Sequence, residues 1–348
     1  MRRFVVIMLL VVVALSGAWT VAWYVAAHRL IDGVDRWAAA RRAAGWQVTY
    51  GAPAPAGFPT KVAVRIPDPA IVAPAVRAGG FGWEWHAVAV RAEIVPWRPN
   101  QIAVRDRGEN RLVLTRDAAR FDATLDCDDA LVRLTAGGRD SDPNLGQYVI
   151  ELAGPKFHQV APPISAQASQ LTFIVELYRV PPGDHETVAV DLTVAVDDLS
   201  SDALGSASPP PVSANLHAEV MGALPPGPLD QAVTAWRDDG GTVEIRRLTL
   251  ISSDISMVTN GTVALDSQMR PMGAATAAIR GYDEAIDRLT ALGSVKSRDA
   301  QLAKLLLAGI ATPSDDGERL LTVPITGQNG WLSVGPVRLT RLEPLQLR

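Results

Sequence analysis

Cysteine is almost missing from this chain of 348 residues: Cys127 is the only one. An intramolecular disulfide and a thiolate-built zinc site are therefore both excluded. No excess of basic residues exists either, with 33 Lys and Arg against 37 Asp and Glu and a net charge of −4. That balance argues against a protein that tracks nucleic-acid phosphates, which needs a basic surface. Nucleotide and acyl-transfer signatures are absent as well: there is no Gly-x-Gly-x-x-Gly, no Walker loop and no Gly-x-Ser-x-Gly elbow. The five histidines, His28, His86, His158, His185 and His217, stand singly, without a second His or Cys two to four positions on. Local metal sites use such pairs, so neither a metal nor another cofactor is expected.

Other features are present in excess. Residues 4–27 carry no charge and begin with the run Phe4-Val5-Val6-Ile7-Met8-Leu9-Leu10-Val11-Val12-Val13-Ala14-Leu15. Ten of these twelve are Phe, Val, Ile or Leu, each contributing roughly −0.3 to −0.6 kcal/mol at a bilayer centre, about 3 to 6 kcal/mol together. The 24 charge-free residues, at about 1.5 Å each, cover a hydrocarbon layer of about 30 Å. Arg2 and Arg3 precede them, which by the positive-inside rule keeps the N-terminus cytoplasmic and sends the rest across. Trp19, Trp23 and Tyr24 stand where an outer aromatic belt would lie. A cleaved signal peptide is the alternative, with Ser16-Gly17-Ala18 as its small-residue site. Apolar character resuming after Ala18 favours an uncleaved anchor, continued by a stalk helix over residues 28–45.

From Trp46 onward the dominant period is two, the mark of strands with one buried face. In residues 187–197, Val188, Val190, Leu192, Val194 and Val196 share a side, and Leu171, Phe173, Val175 and Leu177 do the same upstream. Arg107-Gly108 and Asp126-Cys127-Asp128-Asp129 read as turns at strand ends, and Asn260-Gly261 as a hairpin signal. Few helices are expected, at 229–237 and as a pair within 283–310. Residues 199–213, rich in Ser and Pro, read as a linker or long loop. The expected fold is mainly β with minor α (α+β): long antiparallel sheets, an N-terminal transmembrane helix over 1–27, β-rich halves at 46–198 and 214–348, and a helix pair near the C-terminus.

Gly57-Phe58-Pro59, Gly82-Trp83-Glu84-Trp85 with Pro96-Trp97, and the stretch from Val323-Pro324 through Gly330-Trp331 to Leu342-Glu343-Pro344-Leu345 resemble an uncharacterised bacterial family known only as a domain of unknown function. The resemblance implies one N-terminal anchor and a periplasmic β-rich body, and it supplies no catalytic residues. More distantly, an anchor followed by long amphipathic strands is similar to AsmA-like envelope proteins, which implies a link to lipid transport.

Chemistry has thin support. Cys127 lies among acids that disfavour its thiolate. Scattered acids such as Asp122 and Glu151 leave a hydrolase as a minor alternative to a non-enzymatic protein. Trp83, Trp85 and Trp97 gather at one expected hairpin, as an aromatic core plug or as the lining of an acyl groove. The expected role is a single-pass protein of the bacterial inner membrane with its body in the periplasm, binding phospholipid or a hydrophobic envelope protein on a curved sheet. A closed-core β scaffold acting through protein partners is the alternative.

Overall fold

The computed structural model describes all residues except 1, 75–81, 96, 117–118, 138–143, 182, 205–209, 292–296, 314–318, 336 and 346–348. The chain forms two compact units, one of residues 1–135 and 157–163, the other of 136–156 and 164–348.

The first unit opens with α1 (Arg2–Ala43), 42 residues without a break, so that anchor and stalk are one rod. Its 38 residues Val6–Ala43 have a mean hydropathy of 2.2 over their most apolar window, making it the one described helix long and apolar enough to cross a membrane. There follow β1 (Gln47–Thr49), β2 (Ala54–Ala56), β3 (Val62–Pro67), β4 (Ala70–Ala73), β5 (Gly82–Ala87), β6 (Ala89–Val95), β7 (Arg98–Arg116) and β8 (Ala119–Ala136).

These pair as a bent antiparallel meander. One limb is β2–β3–β6 against the first half of β7, and the other is β1–β4–β5 against its second half. The limbs meet along a crease that crosses neighbouring strands in register. Gly51 donates to the Pro67 carbonyl at 2.8 Å, and Asp68 donates to Val88 at 2.9 Å. On β7 the same line falls at a bulge between Asp106 and Gly108. The causes are local: Pro67 and Pro69 lack the N–H a ladder needs, Asp68 sits at φ 47, and Gly108 at φ 102.

Val64 and Ile66 of β3 and Val90 of β6 turn toward α1 and pack with Leu30, Ile31 and Val34. Alternation then sends Arg65 and Arg91 to the opposite face.

Beyond β9 (Asn144–Ala153), β10 (Lys156–Gln159) belongs again to the first unit and pairs with β8, with Phe157 stacked on Phe121 at 6.1 Å. The second unit continues with β11 (Ile164–Gln167), β12 (Gln170–Tyr178), β13 (Val188–Ser201), β14 (Val212–Met221), α2 (Leu229–Asp238), β15 (Thr242–Ser252), β16 (Ile255–Leu265) and β17 (Pro271–Arg280). After these come α3 (Tyr282–Ala291), α4 (Ser297–Ile310), β18 (Thr312–Pro313), β19 (Arg319–Gln328), β20 (Trp331–Val334) and β21 (Val337–Arg341). Its main sheet is antiparallel throughout, in the order β9–β12–β13–β14–β15–β16–β17–β19–β20–β21. Its core lies where Tyr282 and Ile286 of α3 and Ala300 of α4 cover Ala277, Leu321 and Val323.

The β-rich, antiparallel architecture, the N-terminal helix and the late helix pair agree with the sequence reading. Four details do not. Residues 199–213 connect two partner strands, with Leu199 of β13 paired to Val212 of β14, so the stretch is a loop within one sheet and not a linker between halves; 205–209 lie outside the described residues. Arg107-Gly108 is a bulge within β7. Asp126 to Asp129 lie inside β8, where Cys127 faces Gly108. Asn260-Gly261 sits mid-strand in β16, for a packing reason: a Cβ on Gly261 would lie 2.4 Å from Ala275 of β17. Glycine there allows two backbones to approach, and the chain does not turn.

Candidate functional site

The second unit's sheet is amphipathic, and its register fixes which side chains are neighbours. Across β9, β12, β13 and β14 the pairings align Ile150–Phe173–Val194–Leu216, Tyr148–Val175–Leu192–Ala218, and Leu152–Leu171–Val196. Leu177, Val190 and Val220 form a further row. These side chains share one face because alternate residues of a strand point the same way. That face continues through Leu248 and Thr259 to Ala277 and Val323, where α3 and α4 cover it.

Over β9, β12, β13 and β14 no helix forms a principal packing contact among the described residues. Phe173, Val175, Leu177, Val190, Leu192, Val194, Val196, Leu216 and Val220 are each only half-buried. The result is an apolar surface four strands wide and four rows deep, continuous with a core that covers only its other end. Contiguous apolar patches of this kind mark binding grooves and lipid or protein contacts.

The reverse face is largely polar, with Val149 and Ile174 as apolar members. Gln147, Glu176, Asp191, Glu219, Glu244 and Thr262 stand in one cross-strand row. Gln147 donates to Glu176 at 2.6 Å, Arg246 to Glu219 at 2.7 Å and Thr262 to Glu244 at 3.0 Å. The hydrogen bond that Tyr178 gives Glu176, with burial, pushes the phenol up to about 12. His217 Nε2 lies 3.1 Å from Asp191. Atoms of Asp191, His217 and Glu219 that could ligate a metal ion lie within 4.8 Å of one another, although Glu219 is already engaged by Arg246. Sequence spacing missed this cluster because strand pairing, and not local proximity, assembles it.

The tryptophans divide. Trp83 meets Trp46 edge-on at 5.4 Å. Trp85 packs with the Val64 cluster and donates to Asn110 at 2.9 Å. Both are half-buried within the first unit. Trp97 is 69% exposed in the β6–β7 turn and joins neither of them.

On α1, Trp19 donates to the Pro59 carbonyl at 2.9 Å and Trp23 to that of Lys61 at 2.7 Å. Phe58 packs edge-on against Trp23 at 5.3 Å and is itself 53% exposed. The Gly57-Phe58-Pro59 segment thus fastens the body to the helix. Phe58 joins Trp19 and Tyr24 in an exposed aromatic group that the sequence reading did not extend to it. Trp23 is buried, and its role here is to dock the helix.

The candidate catalytic groups are quiet. Hydrogen bonds from Arg111, with help from Arg120, hold the Asp122 carboxyl below the usual range. Such an acid stays ionised and cannot deliver a proton near neutrality. Glu151 stands on β9 opposite Thr172. Burial and the neighbouring aspartates push the Cys127 thiol up to about 11, which leaves no thiolate to attack with.

No curated protein and no solved structure matches the chain. The more distant likeness to AsmA-like proteins has no support in these comparisons. A bacterial family does match, over residues 23–343, from the docking tryptophan of α1 to the strand that closes the sheet. The chain belongs to DUF2125, a family of uncharacterised proteins conserved in bacteria.

Proposed function

We propose that this protein is anchored by α1 in the bacterial inner membrane, with its body in the periplasm, and that it binds an acyl chain of phospholipid on the bare apolar face of β9, β12, β13 and β14 without catalysing a reaction. The half-covered sheet carries the reading: one apolar face is sealed by α3 and α4 at one end and left open at the other. Leaving that surface to water forfeits about 25 cal/mol for every Å² that a ligand could cover. The charge-free stretch of α1 supplies the occupant by placing the body beside a bilayer. Arg2 and Arg3 supply the orientation.

The test is photocrosslinking in cells. A diazirine-bearing fatty acid is fed to bacteria expressing the full-length protein, and labelled peptides are mapped. Adducts on β12 and β13, around Phe173 and Val194, are expected. Labelling confined to α1 refutes the reading, and leaves a β scaffold working through protein partners as its replacement.

A further inference from the structure

Arg65, Arg91 and Arg105 are directly paired across β3, β6 and β7. Three like charges on three adjacent rungs destabilise a sheet unless something compensates them. Compensation within the protein is partial. Glu93, only 6% exposed, lies 3.1 Å from Lys61, 3.9 Å from Arg91 and 4.0 Å from Arg105. Asp129 takes Arg105 at 2.7 Å and Arg107 at 3.0 Å. Arg65 has no carboxylate partner among the described residues.

Arg65, Arg91, Arg105 and Arg107 line an open cavity of about 370 Å³ at the crease, in which Asp106 and Asp129 are the acidic residues. A bulge beside such a cavity is a common device for aiming side chains at a ligand. Guanidinium forks match the oxygens of a phosphate in pairs, a geometry lysine cannot offer.

We infer that the arginine ladder at the crease is a binding site for a phosphate-class anion, occupied by the headgroup of a phospholipid. The source is argued from height. β3 lies along α1, with Val64 and Ile66 beside Leu30, Ile31 and Val34. Counted from the exposed pair Trp19 and Tyr24, at about 1.5 Å per residue, the ladder stands roughly 9 to 15 Å further along the helix, short of the next exposed aromatic, Trp37. That is just outside the headgroup layer, within about two Debye lengths of an anionic surface, where a headgroup drawn outward from the leaflet meets the ladder. Assigning a lipid source rests on the anchoring proposed above; the anion site itself rests on the ladder.

Full-length protein in maltoside micelles is titrated calorimetrically with phosphatidylglycerol and, separately, with inorganic phosphate. Arg65→Gln and the double variant Arg65→Gln/Arg91→Gln are compared with Arg298→Gln/Arg319→Gln, which removes the same charge from exposed positions outside the ladder. Arg65 is exposed and makes no ion pair among the described residues, so its single variant folds and keeps the test decisive if the double variant does not. Phosphatidylglycerol binding that weakens about tenfold or more in the ladder variants and holds in the control supports the proposal, whether or not inorganic phosphate competes. Binding of inorganic phosphate alone, or lipid binding that the ladder variants retain, overturns it. Because micelles hold the helix regardless of where it resides in a cell, failure here leaves the acyl-chain reading to the crosslinking experiment.

Discussion

Placing a lysine at Val194 separates an open apolar face from a sealed one. Val194 is half-buried between Phe173 and Leu216, and no helix among the described residues packs principally over its strand. A lysine there can extend its stem across Phe173 and reach water with its ammonium. The loss is therefore a surface-like one of about 1 kcal/mol or less. Val323, 1% exposed beneath α3 and α4, offers no such path. Its replacement by lysine strands a charge in the core, at a cost above about 3 kcal/mol. For a unit of about 200 residues each kcal/mol lowers Tm by roughly 2 to 4 °C. The pair should therefore differ by at least about 4 °C. Thermal melts of the full-length protein in detergent, followed by tryptophan fluorescence, measure this, since Trp236 and Trp331 both report on the second unit. If Val194→Lys loses as much as Val323→Lys, the face is sealed and the acyl-chain reading falls with it.

Further outcomes follow from individual contacts. Trp23→Phe removes the bond to the Lys61 carbonyl and should weaken helix docking by about 1 kcal/mol, read as faster hydrogen exchange along β3; unchanged exchange would show that the bond holds nothing. Gly241→Ala places a Cβ 2.2 Å from the Trp236 ring, so Trp236 must move and release the Met221 carbonyl it bonds at 2.7 Å. The expected loss is about 1 to 3 kcal/mol, and a Tm equal to that of the parent chain refutes it. With its thiol raised to about 11, Cys127 should resist alkylation up to pH 9 and react half-maximally near pH 11. The neutral thiol is the form that folding favours, so its stabilising contribution is complete below the ordinary thiol range and fades as pH rises toward 11. Half-maximal reaction near pH 9 would contradict the burial.

Legibility in the sequence tracked how much of the signal was local. The alternation in β12 and β13 and the charge-free run of α1 each need only one stretch of chain to be read. β17 escaped notice because Pro271-Met272-Gly273-Ala274-Ala275-Thr276 has small side chains on both faces and hence no period. Arg107-Gly108 and Asp126 to Asp129 read as turns in the sequence because glycine and aspartate favour turns; only pairing with the neighbouring strand shows Gly108 opposite Cys127 in a bulge. The possible sites were hidden for the same reason. Arg65, Arg91 and Arg105 lie 26 and 14 residues apart, and Asp191 and Glu219 lie 28 apart. Strand register makes neighbours of them, and one chain does not state its register.

The unbroken span of α1 also has a mechanical meaning. Forty-two helical residues extend about 63 Å, and the body grips the rod from Trp19 onward instead of hanging from its end. A pliant tether would let the first unit tumble and sample every direction, whereas a gripped rod in a bilayer gives it a set tilt and height. Under the proposed anchoring and headgroup binding, the ligand of the crease would arrive sideways, by drifting in the plane of the lipid.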